Sequence, residues 1–287
     1  DIKQGFVTTA NNNMDFANAQ QTMKLFTDGY TAAQGGDWQE NYNYLADDYF
    51  GWDRKSSYDW MDAISRKGYY QDYNLNMQGR TGSTGYYVGY LNTEGLIIGS
   101  DLERFSGRLN LDTKFKWATL GVNSSYSYTT QNGFSLSTAG SMSSPLTAAV
   151  SSQTPMDPFY DSEGNYANIN NYNPLALMDE KTGELNQSNT QMVNLNPYFQ
   201  IDFGKGIYAK TTLGVNINEL RQYQYWSALY NPQAQDYNGL GQQYNSKSTV
   251  VTWNNIIGWV IGTPKTSINI PAFPFTFIKY SIPQPDW

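Results

Sequence analysis

Two neighbouring stretches, residues 105–115 and 118–129, alternate apolar and polar side chains for longer than an ordinary soluble strand. In the first, Phe105, Leu109, Leu111 and Phe115 oppose Ser106, Arg108, Asn110, Asp112 and Lys114. In the second, Leu120, Val122, Tyr126 and Tyr128 oppose Thr119, Asn123, Ser125, Ser127 and Thr129. Period two means a β-strand, because successive side chains leave a sheet on opposite sides. A mean soluble strand has about 5–6 residues, whereas a tilted strand needs about 9–11 to cross a bilayer. Tyr73, Leu75 and Met77 begin the same pattern earlier, against Asn74, Asn76 and Gln78, so residues 60–128 read as four consecutive strands.

The composition suits strands with one wet face. Aromatics make up 16% of the 287 residues, 24 of them Tyr, while charged residues are only 15% and mean hydropathy is −0.60. A disordered chain would be poor in aromatics and richer in net charge. The net charge of −7, without a run of Lys or Arg, argues against nucleic acid as a partner. With no Cys and no His there is no disulfide framework, thiolate or imidazole metal site, or His-based triad. No run of 18 apolar residues occurs, which excludes a helical span and leaves a barrel span open.

Along the chain, residues 3–10 suggest a short strand. Residues 14–32 carry apolar positions near helical spacing behind an Asn run, and Gly35-Gly36 ends them. Residues 37–59 are dense in aromatics and acids without a strand period. Further strands are expected at 193–203, 207–223 and 248–259. The connections alternate: short at 80–84, 116–117 and 204–206, long at 93–103, 131–189 and 224–247. Compact soluble domains rarely hold loops beyond about 12–15 residues, and short turns on one rim with long loops on the other is an outer-membrane barrel layout.

Blocks of sequence carry a resemblance. Tyr58-Asp59-Trp60-Met61-Asp62-Ala63-Ile64, then Gly68, then Gln71-Asp72-Tyr73-Asn74-Leu75-Asn76-Met77-Gln78-Gly79 resemble the early barrel signature of SusC/RagA-type TonB-dependent transporters. Gly85-Tyr86-Tyr87, Gly89-Tyr90-Leu91-Asn92-Thr93-Glu94-Gly95 and Arg104-Phe105-Ser106-Gly107-Arg108-Leu109-Asn110-Leu111-Asp112 continue it in order. Weaker likeness runs from about Met14 to Trp259. The strand at 85–92 is shorter than the family pattern by an even step, which keeps in/out parity.

The resemblance implies an all-β fold: about seven antiparallel strands in a curved sheet, part of a transmembrane barrel of about 22 strands. It further implies long extracellular loops, a plug, a TonB box, TonB itself and a SusD-like surface lipoprotein as partner. The plug, the TonB box and the closing strands find no match in this stretch, so it is expected to be a fragment, 1–259, of the barrel region. Residues 260–287 depart from the family. They hold five of the 11 prolines, namely Pro264, Pro271, Pro274, Pro283 and Pro285, and are expected to be a tail foreign to it and not a central strand.

No catalytic residue, metal site or cofactor is expected. Asp157, Asp161 and Glu163 before Gly164 lack EF-hand spacing and read as a turn, with calcium the alternative. Asp47-Asp48 and Asp59 with Asp62 are acids on loops, which a glycosidase pair would resemble only if folding set their separation. The ligand-binding candidates are Trp38, Tyr42, Tyr44, Tyr49, Trp52 and Tyr58, whose flat rings suit stacking on sugars; packing or a membrane-edge girdle is the alternative. Two functions follow. One is part of an importer of oligosaccharides or peptides in a Gram-negative outer membrane, doing no covalent chemistry and not transporting alone. The other is a secreted soluble β-domain that binds glycans. They differ in whether the apolar strand face, Leu109, Leu120, Leu213 and their neighbours, meets lipid or a packed core.

Overall fold

The computed structural model describes residues 1–7, 16–79, 83–133, 145–169, 172–179, 182–183, 185–230, 232–263 and 266–281. Its centre is one antiparallel sheet of nine strands in sequence order. The strands are β1 (Ile2–Val7), β2 (Gly68–Gly79), β3 (Ser83–Glu94), β4 (Asp101–Lys114), β5 (Ala118–Asn132), β6 (Leu185–Gly204), β7 (Ile207–Trp226), β8 (Leu240–Thr263) and β9 (Thr266–Ser281). The four strands expected before Tyr128 are β2 to β5, but the 60–64 stretch in front of them is helical. The short helices are α1 (Ala19–Gln34), α2 (Trp38–Tyr44), α3 (Trp60–Ile64), α4 (Pro145–Ser151), α5 (Pro174–Met178) and α6 (Pro232–Gln235).

The register carries one face through the sheet. Leu75 pairs with Val88 and Met77 with Tyr86. Tyr86 pairs with Leu109, Leu111 with Val122, Leu120 with Phe199, Val193 with Ile217, and Leu213 with Trp253. The other face pairs Tyr87 with Arg108, Asn110 with Asn123 and Arg108 with Ser125, and Asn194 with Asn216. The parity expected across the tight turn at 115–117 therefore holds: Asn123 and Ser125 join the polar face, Leu120 and Val122 the apolar one. Gly121 lies opposite Tyr198, and a Cβ there would collide with the Tyr198 ring and the Asp112 carboxylate. Glycine lets that ring lie across the strand.

Three boundaries differ from the sequence expectation. The helix starts at Ala19, where Asn18 and Gln21 form a capping box, and Met14 lies outside the described residues. The stretch 224–247, expected as loop, is ladder at both ends: β7 runs to Trp226 and β8 begins at Leu240, with Gln224 opposite Gln242 and Glu219 opposite Lys247. Its side chains are polar on both faces, so it carries no period to read. The sheet also continues past residue 259. β8 runs on to Thr263 and β9 pairs with it as the edge strand, Pro271 opposite Gly258 and Pro274 opposite Ile256, with a register shift between Ile257 and Gly258. An edge strand tolerates proline because one side of it needs no ladder bond. Residues 264–265 and 282–287 lie outside the described residues.

Among the described residues, the buried hydrophobic residues gather mainly on the rim that holds the long connections, in a cap made from residues 16–67 and the β5–β6 connection, with Ala118, Trp226 and Ala234 the exceptions. One cluster joins Ala19, Met23, Leu45, Ala46, Trp52 and Met156. A second joins Trp60, Ile64 and Ala149, with Ile97, Phe159, Leu175 and Met178 packed on it.

Candidate functional site

Each cap helix is set by a local capping residue. Asp37 accepts from the amides of Gln39 and Glu40 to start α2, Asp59 accepts from the Asp62 amide to start α3, and Asn173 accepts from Leu175 and Ala176 to start α5. Asn173 is fully buried. Its Nδ2 donates to the carbonyls of Phe159 and Ala167 at 3.0 and 2.8 Å, so one side chain satisfies four backbone groups of the β5–β6 connection. Arg66 ties α3 to the sheet, donating to the carbonyls of Gly95 and Ser100 in the β3–β4 turn. After α2 comes a π-helical turn, Leu45–Tyr49, then Gly51 and Arg54, both at positive φ. Arg54 holds Asp47 at 2.7 Å.

The six aromatic candidates divide. Trp52 is 4% exposed, packed in the first cluster with its indole N–H donating to the Ser56 carbonyl. Tyr58 meets the edge of Phe159 at 5.0 Å in the second cluster. Trp38 stacks on Tyr42 at 5.3 Å and donates to Asp28, and Tyr44 tilts onto Tyr30. Trp38, Tyr44 and Tyr49 are exposed, Tyr49 the most at 66%. Thus Trp38, Tyr44 and Tyr49 lie at the cap surface, Tyr42 is half-buried against the first cluster, and Trp52 and Tyr58 help to build the cap. Asp28 is shifted down by its bonds to Lys24 and Trp38. Asp53 is held at about 2 by the hydroxyl and amide of Ser56 and the amide of Lys55.

The acidic candidates are drawn into the backbone. Asp161 accepts from the amides of Glu163 and Asn165 and closes its own turn. Asp157 is buried and accepts from the amide and hydroxyl of Thr154 at 2.6 and 2.9 Å. Burial pushes its carboxyl up against the lowering effect of those bonds. Among the described residues no three acidic side chains converge as metal ligands.

The sheet's polar face holds a second set of groups, of which the sequence pattern gave the parity but not the partners. A cavity of about 420 Å³ opens on it beside Asn76, Tyr87, Arg108, Asn110 and Asp112. The Tyr198 hydroxyl donates to Asp112, Lys210 lies 4.1 Å over the Tyr198 ring, and Arg108 lies over Tyr87. The opposite face is exposed and apolar: Val88 is 64% exposed, Leu75 61%, and Leu120 and Trp253 51% each. An exposed apolar face of this extent marks contact with lipid or another apolar surface.

No protein-family model matches the chain. It is 29% identical over 166 residues to TonB-dependent receptor P3 of Formosa agariphila, a match covering 54% of this chain and 16% of the relative. It is 28% identical over 180 residues to TonB-dependent receptor P39 of the same organism, covering 61% and 16%. The chain is similar to part of these TonB-dependent receptors, in agreement with its SusC/RagA-type motifs. Its fold agrees with part of a solved RagAB peptide transporter, TM-score 0.69 at 18% identity, covering 93% of this chain and 33% of that one. A RagAB peptide importer in a closed-closed state gives 0.67 at 14% identity, covering 97% and 38%. The chain thus spans a small part of each curated relative's length and about a third of the solved chains. The open antiparallel sheet fits part of a β-barrel of the kind in those solved chains.

Proposed function

We propose that this chain supplies a sector of barrel wall and part of the outer cap of an importer in a Gram-negative outer membrane. The observation that carries this reading is the sheet itself: one continuous exposed apolar face in register across β2 to β8, backed by a wet face. Lipid takes the first face and the transport lumen the second, as barrel strands require. The cargo is peptide or oligosaccharide. The two solved neighbours are a peptide transporter and a peptide importer, which supports peptides; the resemblance to the SusC type supports oligosaccharides. TonB supplies the energy and a SusD-like lipoprotein covers the cap. Trp38, Tyr42, Tyr44 and Tyr49 contact cargo or that lid, with Trp52 and Tyr58 holding the cap beneath them. The reading involves no covalent chemistry. Residues 260–287 are a segment outside the family pattern, of which the described residues 260–263 and 266–281 prolong the sheet.

The test is uptake. Cells making the full-length barrel that contains this chain should accumulate labelled oligopeptide or oligosaccharide only with TonB present, and the protein should leave outer membranes only with detergent. Extraction by salt alone, or TonB-independent uptake, would overturn the reading.

A further inference from the structure

The charges of this chain are unevenly placed. Between the strands, the long connections carry 16 acidic residues against six basic ones. The four short connections carry no acid, and each holds one basic residue: Arg80, Lys116, Lys205 and Lys265. With 18 basic residues in 287 and a net charge of −7, one in each of four connections of two or three residues is not a random scatter of solubilising lysines. Lys116 and Lys205 lie in turns that the structure describes, and both are exposed. Among the described residues neither makes an ion pair. The acids closest to them in sequence are engaged by polar neighbours, Asp112 by the Tyr198 hydroxyl and Asp202 by Gln200. Lys205 also takes a left-handed backbone at φ 51°, between Gly204 and Gly206, where glycine or asparagine fits with less strain.

The two turns are neighbours and share an aromatic edge. The Asp202 amide donates to the Trp117 carbonyl at 2.9 Å, which ties the end of β6 to the β4–β5 turn. The Trp117 ring meets Phe199 edge-on at 6.5 Å, and Phe199 lies opposite Leu120 on the apolar face. Trp259 lies opposite Ile207, in step with Trp253 and Leu213 on that same face, and its indole N–H donates to the Lys205 carbonyl at 3.0 Å. Trp117 is 59% exposed and Trp259 51%. At the short-turn rim the apolar face therefore ends in two indole rings beside two turns that each carry an exposed ammonium group.

An indole is apolar in its body and polar at one edge, which places it at the level of lipid headgroups when the face below it meets lipid. Lysines at that level gain attraction from a leaflet only where the headgroups carry net negative charge. An acidic protein would pair with the lysines and leave the two exposed rings without a role. We infer that the short-turn rim binds anionic phospholipid headgroups, with Lys116 and Lys205 against the phosphates and Trp117 and Trp259 at the glycerol level. The inference rests on the membrane part of the import reading and adds which lipid the rim selects.

The test uses the full-length barrel that contains this chain, in a neutral detergent, with phosphatidylglycerol and phosphatidylcholine of the same acyl chains as probes. Native mass spectrometry should show more phosphatidylglycerol bound than phosphatidylcholine at equal concentration, with a preference that falls as salt rises. Lys116→Gln combined with Lys205→Gln should bind about one phosphatidylglycerol molecule fewer than wild type, with phosphatidylcholine unchanged. Lys116→Arg combined with Lys205→Arg should keep the wild-type number, because the charge is kept. Each single Gln variant should fall between, so one that fails to fold leaves the other to carry the measurement. Inorganic phosphate, at ionic strength matched with chloride, should displace no lipid. Equal binding of the two lipids, an unchanged number in the folded Gln variants, displacement by phosphate, or tighter binding of polyglutamate than of lipid overturns the inference. The two readings fail differently. A barrel that leaves membranes only with detergent yet shows no such preference sinks the lipid site alone, whereas release by salt alone sinks the membrane reading beneath it.

Discussion

Leu120 and Ile64 are both large aliphatic side chains, yet Leu120 on β5 is 51% exposed and Ile64 in α3 is fully buried. The two belong to regions that meet the hydrophobic effect differently. In the cap, helices and loops cover one another, and apolar area leaves water when Trp60, Ile64 and Ala149 come together. In the sheet, nothing among the described residues covers the apolar face, and the strands are held by ladder bonds and cross-strand pairs. In the proposed function, lipid replaces water on that face and further strands close the edges. The cap is an ordinary small core that borrows its position from the sheet through Arg66.

The strongest way to break that contrast is to take the sheet alone. β1 and β9 are its two edges. Unpaired backbone groups in hydrocarbon cost several kcal/mol each, whereas the same groups in water cost little. This chain by itself is therefore expected neither to insert as a closed barrel nor to transport. Heat-modifiable migration in electrophoresis, or uptake by cells making only this chain, would show that the sheet is self-sufficient.

The cap should then respond to truncation as a core does. Ile64→Ala should cost about 2–5 kcal/mol of cap stability through lost burial and an unfilled cavity. Leu75→Ala, at a position 61% exposed, should change it by no more than about 0.5 kcal/mol. Denaturant titration of both variants in detergent, followed by tryptophan fluorescence, measures the difference. Equal losses would mean that cap and sheet share one core.

What the sequence disclosed follows the same division. β4 and β5 were legible because lipid-type alternation puts Leu and Phe on every second position, and the parity carried correctly across the turn at 115–117. The outer halves of β7 and β8 were not, because Tyr223, Gln224, Gln242 and Gln243 pair in a ladder with polar side chains on both faces, where periodicity has nothing to act on. β9 was hidden by its prolines, whose penalty applies to central strands and not to an edge. In the aromatic stretch 38–58, composition marked a segment dense in rings. It gave no sign that Trp52 and Tyr58 would turn inward, since that depends on Met156 and Phe159, about a hundred residues away.

The face assignment sharpens the contrast within one strand. Leu109 lies opposite Ser124 on the apolar face, and its neighbour Asn110 lies opposite Asn123 on the polar one. A charge on the lipid face near the midplane costs about 2–4 kcal/mol, and a lumen substitution costs little. In the full-length barrel, Leu109→Arg should lower the folded fraction in lipid vesicles while Asn110→Arg folds normally. Equal folding, or a worse result for Asn110→Arg, would reverse the faces.

The smallest effect concerns a single buried carboxyl in the cap, and its value lies in the sign. Burial raises the pKa of Asp157 above its unfolded value, so the folded cap binds that proton more tightly than the unfolded chain does. The contribution of Asp157 is then most favourable below the ordinary Asp range near about 4, and is lost as pH rises through the raised pKa. Asp53 works in the opposite direction. Held at about 2, it contributes stability at neutral pH that disappears as the pH falls toward that value. A titration of the wild type alone mixes the two. Asp157→Asn separates them, because the amide oxygen can still accept from the Thr154 amide and hydroxyl but has no charge to bury. Relative to wild type, the variant should gain cap stability as the pH rises from the ordinary Asp range near about 4 through the raised pKa, and hold that gain above it, by the same tryptophan-monitored titration. A gap that stays constant over that range would show Asp157 in contact with water, and a gap that narrows would mean its carboxylate is stabilised by the cap, not burdened by it.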